Sequence, residues 1–117
     1  MAARQWSKHN YFARHPRPWV RVPFACTLTG WELTADASTT LSIDVWKDTY
    51  ANFPPTVADT ITNGNDPALS ASNKAQDTDI SDWSDVTIDA GDYIKIDADV
   101  ASGNTATLVV LELLYTK

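Results

Sequence analysis

Along residues 41–46 apolar and polar positions alternate without a break, with Leu41, Ile43 and Val45 on one side and Ser42, Asp44 and Trp46 on the other. That period of two is the mark of a half-buried strand whose odd-numbered side faces the core. Trp46 falls on the outer side, where an indole exposes a large apolar ring unless something covers it. Tyr50, Phe53 and the Pro54-Pro55 pair follow closely, and a diproline is held extended and cannot donate to a central ladder. The sequence therefore predicts that residues 47–57 form a rigid, aromatic-rich loop folded back over the preceding strand.

The same alternation recurs on either side. Val20, Val22 and Phe24 share one face of a strand that Pro23 confines to an edge or a bulge. Cys26 and Leu28 continue the even phase, whereas Trp31, Leu33 and Ala35 are odd, so a bulge or bend is predicted at Thr29-Gly30. Asp36-Ala37-Ser38 reads as the turn into the central strand. Residues 60–82 are rich in Asn, Asp, Ser, Thr and Ala, with turn signals at Asn63-Gly64 and Asp66-Pro67; they read as a long connection anchored by Leu69 and Ile80.

Val86 and Ile88 are in phase before a hairpin turn at Asp89-Ala90-Gly91-Asp92, and from Tyr93 to Val100 the pattern is clean. Ile94, Ile96, Ala98 and Val100 point inward, with Lys95, Asp97 and Asp99 outward. After a second turn at Ala101-Ser102-Gly103-Asn104, residues 105–115 are apolar on both faces, which predicts a central strand with a second cover. Val109, Leu111, Leu113 and Tyr115 are the candidate contacts with another subunit. No segment carries a 3.6-residue apolar period of any length. Short strands separated by Gly, Pro and Asn turns predict an all-β chain, an antiparallel β-sandwich spanning 19–117.

Residues 1–18 break this pattern. They mix Arg4, Lys8, Arg14 and Arg17 with Trp6, Tyr11 and Phe12, and Pro16 and Pro18 forbid a helix through their junction. The sequence predicts an extended N-terminal arm, rich enough in aromatics to be buried against a surface. Charge sharpens this division. The net charge is −6, yet no acid precedes Glu32, and from there only Lys47, Lys74, Lys95 and Lys117 oppose all 15 carboxylates. The chain reads as a basic arm on an acidic body.

Candidate chemistry is sparse. Cys26 is the only cysteine, so no intrachain disulfide or thiolate metal cluster forms, and it reads as a small buried hydrophobe. His9 and His15 both fall in the arm. The acids Asp77, Asp79, Asp82 and Asp85 lie in turn-like sequence without the glycine and terminal glutamate of a calcium loop, and they read as solvated turn and cap residues. No nucleophile beside a base and no tuned acid pair can be assembled, so an enzyme, a metal and a cofactor are not expected. Nucleic acid is disfavoured as a partner because the acidic body repels the phosphate backbone the arm would meet. No apolar run reaches the roughly 18 residues of a membrane helix, and the N-terminus lacks the apolar region of a signal peptide, so a soluble protein made without secretion is expected. Five tryptophans invite a sugar-binding reading with Trp46 and Tyr50 as the stacking platform. The alternative is that the rings fill the core or a subunit contact.

The run from Val45 to Asp59, read with Gly30-Trp31-Glu32-Leu33 before it and Ala90-Gly91-Asp92 after it, resembles small β-sandwich modules in structural proteins of tailed-bacteriophage virions. The resemblance spans roughly residues 20–117. It implies a jelly-roll-like sandwich and a place in a virion assembled in the host cytoplasm, with other capsid or tail proteins as partners; it carries over no catalytic residue. A short chain without a shaft fits a capsid decoration or head-surface protein, expected to be a homo-oligomer, a trimer, attached through Arg4, Trp6, Lys8, Tyr11, Phe12, Arg14 and Arg17. The alternative is a tail fibre or spike component that binds host-surface glycans.

Overall fold

The computed structural model describes residues 19–103 and 105–117, and the expected N-terminal arm lies outside them. The strands are β1 (Trp19–Arg21), β2 (Cys26–Asp48), β3 (Ala68–Asp77), β4 (Thr87–Ile88), β5 (Tyr93–Val100) and β6 (Val109–Thr116). Two single-turn 3-10 helices, Tyr50–Asn52 and Val57–Asp59, lie between β2 and β3. The chain is all-β and every strand pairing is antiparallel.

β2 is the spine. It is 23 residues long, and β3, β4, β5 and β6 each pair with it directly, leaving β1 to pair with β5. Trp31 sits between Asp77 of β3 and Leu113 of β6, so those two strands flank the first half of β2 on opposite sides. Leu41 sits between Leu69 of β3 and Val100 of β5, so β5 takes over from β6 along the second half.

The phase change expected at Thr29-Gly30 is present: the β2–β6 register shifts between Leu28 and Gly30. Glycine is needed there for closeness as well, since a Cβ on Gly30 would collide with the carbonyl oxygen of Asp77 on the neighbouring strand. Val22, Leu28, Trp31, Leu33, Leu41, Ile43, Val45, Leu69, Ile88, Ile94 and Leu113 join one buried core to which both halves of β2 contribute. Fully burying each such aliphatic side chain is worth about 1.5–3 kcal/mol. Leu69 and Ile80 are both buried, as their role as anchors requires.

Four expectations are corrected. Asp36-Ala37-Ser38 is not a turn, because β2 runs straight through it. The change of direction is absorbed by register shifts between Thr34 and Thr39 and between Thr39 and Leu41, and the Asp36 N–H donates to the Leu108 carbonyl. The long connection contains a ten-residue strand, β3, whose Ala-, Ser- and Asn-rich sequence hides it: of its side chains only Leu69 is fully enclosed. The Asp89–Asp92 turn is not a hairpin turn, because the strands it joins do not pair with each other: Ile88 faces Cys26 at the start of β2, while Tyr93 faces Arg21 of β1 and Asp48 at the end of β2. The last strand begins at Val109 rather than at 105, and among the described residues it pairs with β2 alone, which makes it an edge and not a central strand.

Candidate functional site

The outer face of β1, β5 and the second half of β2 carries two rungs of side chains in register. Trp19 faces Lys95, which faces Trp46; Arg21 faces Tyr93, which faces Asp48. The Lys95 ammonium lies 5.5 Å from the Trp19 ring centre and 5.7 Å from that of Trp46, within cation–π range of both. Beyond Trp46 the next neighbour is Thr60, through an isolated bridge. Trp46 is thereby enclosed, at 7% exposed, and its indole N–H finds no acceptor among the described residues.

The segment after β2 folds back over this face, as its sequence predicts, but its rings stack on Trp19 and Tyr93. The Phe53 ring is 5.4 Å from Trp19 in an edge-on arrangement and 4.8 Å from Tyr93, and Tyr50 lies 6.4 Å from Tyr93. Each such pair adds about 0.5–1.5 kcal/mol beyond its buried area. Local hydrogen bonds set the presentation. The Thr49 N–H donates to Asp48 Oδ1 at 2.7 Å, the Asn52 side-chain amide reaches the same oxygen at 3.3 Å, and the Phe53 N–H closes the turn on the Tyr50 carbonyl. The Thr49 N–H leads in holding the Asp48 carboxyl below its usual range. The result is a row of rings, Trp19, Phe53, Tyr93 and Tyr50, with Trp19 50% and Tyr50 76% exposed. In the sequence Trp19 directly follows the basic, aromatic-rich residues 1–18.

Of the expected glycan platform, then, Tyr50 is exposed and Trp46 is not. Of the candidate subunit contacts, Val109, Leu111 and Leu113 are enclosed in the chain's own core, and Tyr115 packs at 5.4 Å from Phe24. The attachment residues Arg4, Trp6, Lys8, Tyr11, Phe12, Arg14 and Arg17 lie outside the described residues, as do His9 and His15.

The acids at 77–85 shape turns. Asp77 and Asp79 accept from the N–H groups of Asp79 and Ser81, and Asp85 Oδ1 accepts from that of Thr87. Among the described residues no group of His, Cys, Asp or Glu is placed to hold a metal ion, and no helix is long and apolar enough to cross a membrane. Cys26 is buried, and burial pushes its thiol up against the opposing pull of Lys117.

Two polar clusters escape the sequence pattern because their members are far apart along the chain. Lys47 donates to Asp85 and to the Thr87 carbonyl near buried Asp92. Asp44 and Asp66 converge on Thr62, whose hydroxyl is 2.5 Å from Asp66 and 3.2 Å from Asp44, while Thr60 donates to Asp44 at 2.5 Å. Burial raises the Asp66 carboxyl against the hydrogen bond from Thr62, and the charges of Asp44 and Asp97 raise it further. No known protein family, curated protein or solved structure matches the chain.

Proposed function

We propose that the chain is a non-enzymatic structural protein of a tailed-phage virion, a capsid decoration protein held on the particle through residues 1–18. The observation that carries this reading is the exposed row of rings at Trp19, Phe53 and Tyr50, which starts at the residue where the basic, aromatic-rich segment ends. An exposed aromatic row continuous with such a segment suits a protein contact in which buried rings anchor and cations meet an acidic surface. The likeness of residues 45–59 to virion modules supports the same reading, and a jelly-roll arrangement of the sheet belongs to the proposal.

Particles lacking the protein provide the test. The intact chain binds them and is weakened by salt, whereas a full-length variant with Arg4, Lys8, Arg14 and Arg17 changed to Glu does not bind. Binding of that variant at the wild-type level would move attachment onto the body and remove the arm from the proposal.

A glycan-binding fibre or spike component is the second reading, favoured by the 76% exposure of the Tyr50 ring. A saturable glycan signal lost in Tyr50→Ala but kept in Trp46→Phe would select it.

A further inference from the structure

Among the described residues four strands, β1, β3, β4 and β6, are paired on one side only, and they are not alike: β4 is just two residues long. β1 is three residues long and is followed by Pro23. β3 carries Lys74 and a left-handed Ala71 at φ 46° that breaks its regularity. Short length, lysine, proline and irregular backbone are the devices that keep strand edges from pairing with other chains. β6 has none of them. Its eight residues, Val109–Thr116, contain no proline or lysine, its side toward β2 is hydrogen-bonded, and Glu112 is its only charge.

The outward face of β6 is Val110, Glu112 and Leu114, opposite Thr34, Glu32 and Gly30 of β2. This strand is close to symmetric about Glu112. Laid antiparallel on a second copy with Glu112 at the two-fold axis, it sets Val110 against Leu114 on the outer face and Leu111 against Leu113 on the inner one. Apolar residues then face apolar residues at every rung but one. Other same-face registers set Glu112 against Val110 or Leu114 and leave a carboxylate opposite an aliphatic side chain.

We propose that β6 pairs antiparallel with β6 of a second copy, with Glu112 at the two-fold axis, and that the two sheets become one. The pairing is independent of how the protein is held on a particle. It gives a dimer in place of the trimer expected from the sequence, because one strand edge accepts one partner edge. The central rung then carries Glu32, Glu112 and their two symmetry mates in a row, and like charges directly opposite weaken a sheet. The carboxylates keep the pairing reversible in a strand that otherwise lacks protection.

The full-length chain, followed by sedimentation across a concentration series, is expected to show a monomer–dimer equilibrium. Glu112→Gln should tighten it about two- to fivefold, the range implied by removing one opposed like-charge pair. Val110→Lys with Leu114→Lys should give monomer with an unchanged melting temperature, since both side chains are only partly buried in the single chain. Cysteine replacements fix the register. Glu112→Cys should form an intermolecular disulfide, because directly opposed Cβ atoms lie about 4.5–5.5 Å apart, and Val110→Cys should not, because its mate lies about 13 Å along the strand. A chain that stays monomeric even as Glu112→Gln, a trimer, a cross-link at 110 in place of 112, or a dimer that survives the double lysine change would each overturn the proposal.

Discussion

The Lys47 ammonium donates to Asp85 Oδ2 at 2.5 Å and to the Thr87 carbonyl at 2.7 Å, with Asp92 Oδ2 at 3.9 Å. Lys47 is the last residue but one of β2 and Asp85 leads into β4, so this one amine ties together segments 38 residues apart. Lys47→Met keeps the aliphatic stem but leaves Asp92 buried without its cation. The expected loss is about 1–3 kcal/mol by urea denaturation, with little of it from partly exposed Asp85. Burial pushes the Asp85 carboxyl up, but the Lys47 ammonium and the Thr87 N–H outweigh it and hold the group below its ordinary value. A carboxyl depressed in the folded state contributes stability above its unfolded pKa, about 3.9, and loses it as the pH falls through the lower folded value. The gap between wild type and Asp85→Asn should therefore be present at pH 7 and close in acid.

Asp66 behaves in the opposite sense. Its carboxyl is raised, first by burial and then by Asp44 and Asp97, so ionisation works against the fold. The penalty is absent below the unfolded pKa and fully felt above the raised folded one. Asp66→Asn retains an oxygen to accept from Thr62 and should stabilise the protein at pH 7 but not at pH 3. Equal effects at both pH values would show that the charge is not the cause.

Gly30→Ala places a methyl group against the backbone of Asp77, an obstacle that no side-chain rotation removes. Overpacking of this kind costs about 1–3 kcal/mol. The urea midpoint should fall accordingly, and amides of β3 near Asp77 should lose protection from hydrogen exchange ahead of those in β5.

Ala71 holds a positive φ of 46° while its N–H donates to the Thr40 hydroxyl at 3.0 Å. A left-handed conformation costs a residue with a Cβ about 1 kcal/mol that glycine avoids. Ala71→Gly should thus be neutral or stabilising by a few tenths of a kcal/mol after the added unfolded-state entropy, whereas Ala71→Val should be clearly destabilising in the same thermal melt.

What could be read from the sequence follows from how each strand is used. β5 encloses Ile94 and Ile96 on its inner face while Lys95, Asp97 and Asp99 on the other are partly or wholly exposed, so apolar and polar residues alternate, and both of its ends match the expected strand. The Gly30 bulge was legible because buried residues change parity across it. β3 was not legible, because a strand that buries little beyond Leu69 has no apolar period to show. The edge position of β6 was hidden for the opposite reason: Val110 and Leu114 are apolar although they face away from the core. The aromatic row was half legible. Tyr50 and Phe53 stand out near Trp46, but the pairing that brings Trp19 and Lys95 beside them joins strands from opposite ends of the body.

A spine shared by so many pairings governs how the molecule comes apart. β3, β5 and β6 hold on to β2 and not to one another, so each is an independent ladder on a common rail. Loss of one ladder strips one flank of the rail without unzipping the others, whereas fraying within β2 breaks several ladders at once. Partial opening should therefore begin at β6 or β3, and the slowest-exchanging amides should be those of β2 at residues 31–34 and 41–42, where strands lie on both sides. Those ladders join residues distant in sequence, so refolding from denaturant should fall in the slow, millisecond-to-second range of non-local β topologies.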